Sequence, residues 1–156
     1  MSWSQRAYGR ISPRFAHGPL SAYFTKFHAW IIRRTKGRIG TRFFGGAPLL
    51  VLRTTGRRSG EPREAPVIYV PAGDDAYAVC ASNAASARYP AWWHNLQADP
   101  DAEILVKGGW RQVRARKAEG EEANRLMARI EETYEGAKHY ATIASRDMPV
   151  VVLEPR

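Results

Sequence analysis

Cysteine is nearly absent from this chain of 156 residues: Cys80 stands alone. No intramolecular disulfide can staple the fold, and a reducing compartment suits such a chain. Long apolar runs are missing as well. Stretches such as Leu49–Leu52 and Val150–Leu153 fall far short of the roughly 20 residues that a membrane-spanning helix needs. The opening MSWSQRAYGRISPRF lacks the apolar centre of a secretory signal. No internal repeat, heptad seam or low-complexity tract is present. With 44% hydrophobic and 25% charged residues the chain has enough apolar surface to build a core, so disorder is excluded for its bulk. A single compact, cytoplasmic domain is the expectation.

Acidic residues are scarce in the front part of the chain. Residues 1–63 hold 13 basic side chains against 1 acidic, whereas residues 64–156 hold 11 against 14. The whole chain carries a formal +9, and the excess sits entirely in front. Such an asymmetry marks a surface that meets something anionic: nucleic acid, a membrane surface or a highly charged ligand.

Residues 1–17 are basic and without period, and are expected to form a mobile arm ahead of one domain over 18–156. From Pro19 the apolar residues Leu20, Tyr23, Phe24, Phe27, Trp30 and Ile31 recur at helical spacing. Pro19 suits the first helical position, and Arg33, Arg34 and Lys36 suit the last turn before Gly37. An aromatic, basic helix of this kind either covers a sheet, the commoner role, or lies on an anionic membrane interface. Strand-like runs follow at Leu49–Thr54, Pro66–Val70 and Ala76–Ser82, then a short helix from Pro90. A hairpin is predicted across Gly108-Gly109, between Glu103–Lys107 and Trp110–Ala118. A long helix over Glu119–Tyr134, broken by Gly136, precedes a short helix at Ala137–Ser145 and a last strand at Val150–Leu153. Six strands with helices inserted between hairpins predict an α+β fold with a mainly antiparallel sheet or barrel.

The stretch Thr54-Thr55-Gly56-Arg57-Arg58-Ser59-Gly60-Glu61-Pro62-Arg63 lies between two strands. Its glycines allow a tight turn that would present N–H groups to an anion, and Arg57, Arg58 and Arg63 add forked donors. A phosphate or a polycarboxylate tail fits that chemistry. The stretch is neither a Walker A loop nor a dinucleotide fingerprint, because both spacings fail. His17, His28, His94 and His139 are scattered without metal-ligand spacing. No nucleophile elbow and no RNP-type strand is present. Cys80, in an apolar strand, reads as a buried inert thiol.

Leu52-Arg-Thr-Thr-Gly-Arg-Arg-Ser-Gly-Glu-Pro-Arg63, Pro66-Val-Ile-Tyr-Val70, Ala81-Ser-Asn83, Pro90-Ala-Trp-Trp-His-Asn-Leu96, Asp99-Pro100 and Arg146-Asp-Met-Pro-Val-Val-Val-Leu-Glu-Pro155 follow in order. This ordered set resembles the deazaflavin (coenzyme F420)-dependent nitroreductase family and covers most of the chain from about Trp30. The resemblance implies a split β-barrel and reduced F420 as hydride source. It implies that Arg57, Arg58, Ser59 and Arg63 hold the anionic cofactor tail, which agrees with the independent reading of charge. Ala81, Ser82 and Asn83 match positions beside the deazaflavin ring, and Trp92 matches an aromatic packed against it, while Trp93 reads as core filling. Ser82, Tyr134 and Tyr140 are the candidate catalytic residues. Two departures stand out: Ala137 replaces a middle tyrosine of the family pattern, and Asn83 replaces a lysine of some relatives.

The resemblance implies hydride transfer from reduced F420 to a quinone, a nitroaromatic or an activated enone. No metal is expected, nor a nucleic-acid partner. A monomer or homodimer is expected, with peripheral contact at an anionic membrane through residues 19–36. Two other readings stay open: an FMN protein on the same barrel, and a non-enzymatic nucleic-acid-binding protein using the basic front.

Overall fold

A computed structural model describes residues 46–106 and 108–156. The expected arm and the helix at 19–36 lie outside the described residues. Six strands, β1 (Leu49–Thr55), β2 (Pro62–Gly73), β3 (Ala76–Cys80), β4 (Asp101–Val106), β5 (Gly109–Lys117) and β6 (Val150–Pro155), close into a barrel in the order β1-β2-β3-β6-β5-β4. Every neighbouring pair is antiparallel. Three helices are described: α1 (Ala91–Ala98), α2 (Gly120–Thr133) and α3 (Glu135–Ile143). Among the described residues, no helix is long and apolar enough to cross a membrane. The expected α+β split barrel of about six strands is what forms.

Antiparallel closure decides where the connections go. β1, β3 and β5 run in one direction and end at the same rim, as the pairings Thr55↔Pro62, Thr54↔Ala102, Cys80↔Val150 and Lys117↔Val151 require. The basic loop at 56–61, the stretch from Ala81 through α1, and the stretch holding α2 and α3 therefore all leave one end of the barrel. Among the described residues, the opposite rim carries the entry to β1 and two tight reversals, at 74–75 and between Val106 and Gly109.

Alternation along each strand sorts side chains inside and outside. Leu50, Leu52, Tyr77, Val79, Ala102, Ile104, Val106, Val113, Val151 and Leu153 belong to one buried cluster, which Trp92, Trp93 and Leu96 of α1 join. The intervening residues Val70, Ala78, Val150 and Val152 form a second cluster with Leu126 and Ile130, the apolar stripe of α2. α2 starts with acidic Glu121 and Glu122 in its first turn, where the helix dipole favours them.

Several boundaries differ from expectation. β2 is longer at both ends, because β1 templates it from Pro62 and β3 continues the pairing from Tyr69. Pro66 is tolerated where β2 pairs with β1 on one side, since a strand free on its other flank loses no ladder bond to a missing N–H. β3 stops at Cys80, because the Ala81 N–H bonds to the Pro149 carbonyl and the chain then turns left-handed. The hairpin is shifted by one residue: Gly109 pairs with Val106 inside the ladder. The break between α2 and α3 falls on extended Tyr134 (φ −134, ψ 102), not on Gly136, which lies inside α3.

The inside–outside sorting has a measurable consequence. Leu52→Ala, which empties an inward position that is fully buried, should cost about 2–5 kcal/mol in denaturant unfolding. Gln112→Ala, on an exposed outward position, should cost less than about 0.5 kcal/mol. Equal costs would contradict the closed barrel.

Candidate functional site

The basic loop between β1 and β2 is built around Gly56. Gly56 N–H donates to the Glu61 carbonyl at 2.8 Å, and its own carbonyl accepts from Ser59 N–H at 3.1 Å and Gly60 N–H at 2.7 Å. A Cβ at position 56 would lie 2.7 Å from Ser59 Oγ and 3.0 Å from the Glu61 carbonyl, so only glycine lets the loop close this tightly. Glu61 N–H donates to Ser59 Oγ (3.3 Å), as does Arg63 Nη2 (3.3 Å). Arg57 N–H donates to Oδ1 of Asn95 on α1 (3.1 Å), whose Nδ2 donates to the buried Thr54 hydroxyl (3.0 Å). The expectation of several N–H groups aimed at an anion is thus corrected. Those of Gly56, Arg57, Ser59, Gly60 and Glu61 are spent inside the protein, and the donors the loop offers are its guanidinium groups.

The arginines of the barrel strands and of the basic loop differ in their partners. Arg53, Arg111, Arg114, Arg116 and Arg156 each meet a carboxylate within 3.1 Å. Arg53 bridges Glu64 and Glu103 on the flanking strands and stacks on Trp110, 3.6 Å from the ring centroid. Exposed Arg57, Arg58 and Arg63 meet no carboxylate among the described residues.

The second loop, from Ala81 to Tyr89, leads straight into α1. Asn83, Ala84 and Ala85 all have positive φ (46, 50 and 58), an unusual left-handed turn for side-chain-bearing residues. Ala81 is buried, and Ser82 and Asn83 are half-buried. Asn83 Nδ2 donates to the Arg88 carbonyl at 2.9 Å, so its side chain closes the loop on itself. Arg146, just before β6, donates to the carbonyls of Ala81, Ser82, Ser86 and Arg88 and lies over the Tyr89 ring at 4.1 Å. The Tyr89 hydroxyl bonds Asp147, and that carboxylate raises the phenol above its ordinary pKa.

α3 packs against the left-handed turn. Its start holds a tyrosine pair: the hydroxyls of Tyr134 and Tyr140 are 3.2 Å apart, with ring centroids 6.0 Å apart. Gly136 lies under the Tyr134 ring, which a Cβ at that position would strike. Ala137 is buried in the cluster beneath α2, so its side chain faces the core. Trp92 and Trp93, given different roles from sequence, both lie in the barrel cluster, 7% and 9% exposed. Asn95 and Arg146 are the two residues that sequence reasoning passed over. Both stand inside the motifs quoted above, but only the three-dimensional bonding reveals what they hold.

Cys80, partly buried, bonds the Met148 carbonyl with its sulfur at 3.8 Å, and burial pushes its thiol up to about 12. No group of three or more His, Cys, Asp or Glu among the described residues could hold a metal ion.

A closed antiparallel barrel with its long connections gathered at one rim, a glycine-hinged arginine loop among them, defines the class as a split barrel with a basic rim. A solved structure described as an F420-H2 dependent reductase shares 30% identity, covers 69% of this chain and 94% of that one, and superposes with a TM-score of 0.63. Another, described as a domain-swapped dimer, shares 26% identity, covers 88% of this chain and all of that one, and gives a TM-score of 0.66. An F420H(2)-dependent quinone reductase of Mycobacterium tuberculosis is 38% identical over 134 residues, 84% of this chain and 89% of that protein. Residues 24–155 match the family described as F420H(2)-dependent quinone reductase, and the chain belongs to that family. The expected oxidoreductase class and dependence on reduced F420 are borne out.

Two outcomes test this geometry. Asn95→Ala strands a buried Thr54 hydroxyl and the Arg57 N–H, and should cost about 1–3 kcal/mol in unfolding free energy. A loss no larger than that of an exposed substitution would deny the staple. Ligand-free protein should alkylate at Cys80 far more slowly than a free thiol at pH 8. Its rate should keep rising through pH 10, where an ordinary thiol has levelled off, because the thiolate forms only near pH 12.

Proposed function

We propose that this protein moves a hydride from reduced coenzyme F420 to a quinone, gripping the cofactor's anionic tail with Arg57, Arg58, Ser59 and Arg63. The observation that carries the reading is the grouping of Arg57 and Arg58 on one glycine-closed turn with Arg63 at the start of β2 beside it, all exposed and none meeting a carboxylate among the described residues. Charge-assisted, forked donors of this kind suit phosphate and carboxylate oxygens. Ala81, Ser82 and Asn83 border the ring at the same rim, with the indole of Trp92 packed beneath the site. Bound F420H2 supplies the hydride, and a quinone that accepts it needs one proton to leave as hydroquinone.

The chain's share of the chemistry is to orient the two partners and exclude water. A proton reaches the acceptor oxygen from the Ser82 hydroxyl or from the Tyr134–Tyr140 pair, whose mutual hydrogen bond lets one phenol relay to the other. Nitroaromatics and activated enones, which also take a hydride at an electron-poor centre, are further acceptors on this reading. A homodimer is the assembly that the likeness to the domain-swapped dimer supports. The basic excess of residues 1–63 supports peripheral contact with an anionic membrane, where a lipid quinone is met. Vesicles containing phosphatidylglycerol should then sediment the protein at low salt and release it at high salt. Failure to sediment would remove that contact.

Arg57→Ala and Arg58→Ala test the tail site. Each should weaken F420 binding, followed by cofactor fluorescence, by about 1–3 kcal/mol. A deazaflavin headgroup without the tail should lose much less. Equal losses for both ligands would show that these arginines do not hold the tail, and tighter binding of FMN than of F420 would overturn the cofactor assignment.

A further inference from the structure

Arg146 is bonded in an unusual way. A guanidinium has five N–H donors, and here all five are used, each by a backbone carbonyl. Nε donates to Ser86 (2.9 Å), Nη1 to Ala81 (3.1 Å) and Asp147 (2.7 Å), and Nη2 to Ser82 (2.9 Å) and Arg88 (3.1 Å). No carboxylate shares the cation in these bonds. Four of the five carbonyls come from the loop 81–88, so one side chain draws a whole turn of backbone inward. The stacked Tyr89 ring and its bond to Asp147 close the other side of the clamp.

The peptide planes follow from this. No peptide bond among the described residues is cis, so a carbonyl aimed at Arg146 sends the next residue's N–H the opposite way. The N–H groups of Ser82 and Asn83 are therefore turned away from the cation. Ser82 is right-handed (φ −71, ψ −37) and Asn83 left-handed (φ 46), and the Ser82 backbone N–H is engaged by the Cys80 thiol, which ties the start of the clamped loop to the chain's single cysteine. The left-handed turn at Asn83–Ala85 is costly for residues with side chains, and a structure must over-determine it to keep it. Arg146 supplies that constraint.

We propose that Arg146 is the positioning residue of the hydride-transfer site, its five-donor fork fixing the backbone from Ala81 to Asn83 as a rigid edge against which the deazaflavin ring is oriented. This rests on the reading that Ser82 and Asn83 border the deazaflavin. It predicts that shape, more than charge, is what matters: lysine brings a cation but only three tetrahedral donors, and cannot hold four carbonyls of one loop.

The chain's single cysteine makes the clamp measurable without a label. Cys80 directly precedes the clamped loop, and its sulfur rests on the Met148 carbonyl two residues after Arg146. In ligand-free Arg146→Gln and Arg146→Lys, iodoacetamide should modify Cys80 at least about tenfold faster than in the wild type, while thermal unfolding remains cooperative. With F420H2 and menadione, both variants should lose about a hundredfold in kcat, the scale of a displacement near 1 Å at a reacting centre. F420 affinity should change by less than about threefold, since the tail is held at the other loop. Should either variant fail to fold, Tyr89→Phe, which removes only the Asp147 bond, should show the same two changes at smaller size. Wild-type kcat in Arg146→Lys, or unchanged Cys80 modification in Arg146→Gln, would overturn the proposal. Absence of F420 binding by the wild type would defeat the functional reading instead, and the Cys80 rates would still judge the clamp.

Discussion

Antiparallel closure of six strands is the constraint on which the rest depends. In a closed antiparallel barrel every odd strand delivers its chain to one rim and every even strand to the other. Once β2 reverses against β1 at Pro62, the exits of β3 and β5 are committed to the rim where the basic loop sits. Three segments distant in sequence thus meet without any contact designed to recruit them. α1 then ties two of them directly, because it continues from the second loop and donates Asn95 to the first. A tight reversal needs only a few residues, so the two hairpins at the opposite rim add little chain there.

Charge placement separates structural from functional arginine. Around the barrel wall Arg53, Arg114 and Arg116 cross from strand to strand onto Glu64, Glu103, Asp101, Glu122 and Glu154. Such exposed pairs contribute little each, typically below about 1 kcal/mol, but they neutralise the wall and keep its register. At the rim the same side chain is used without a partner. Concentrating unpaired cations on a turn that exhausts its own N–H groups costs stability unless an anion arrives, which is what a binding loop requires and a structural loop does not.

Much of this was legible in the residues. Short continuous apolar runs located β1, β3 and β6 to within a few residues, because inward and outward faces are both buried there and leave a strong signal. The clearest underestimate, β2, contains Pro66 and charged Arg63 and Glu64. Its strand character comes from pairing with β1, which no local pattern encodes. The glycine–arginine stretch led to an expectation of free backbone N–H groups that the loop does not meet, while its three guanidinium groups do stand exposed. Whether an N–H is free depends on a closure around Gly56 and on an asparagine nearly forty positions away. Likewise Trp92 and Trp93 are neighbours on one helix, and the roles assigned to them from sequence do not divide them in space: both are buried in one cluster.

The two rim loops hold by opposite physics, and that difference has consequences for specificity. The first presents long, exposed, flexible cations, well suited to a tail that varies in length and adds charge in repeats, because each added carboxylate finds a guanidinium without precise geometry. The second has its flexibility removed, with four carbonyls fixed on one half-buried fork and a left-handed turn locked in place. Any anion held by the exposed cations of the first loop would be held electrostatically and released by salt, whereas the second loop is shaped by hydrogen bonds of 2.9–3.1 Å that salt hardly reaches. Between the rigid turn and the Tyr134–Tyr140 pair, α3 is the element with the least buried anchor, its only buried side chain being Ala137. Because α3 packs against the left-handed turn, sequence change along it reaches both the tyrosine pair and the second loop, whereas Ala137 is the one position of α3 that packs into the core.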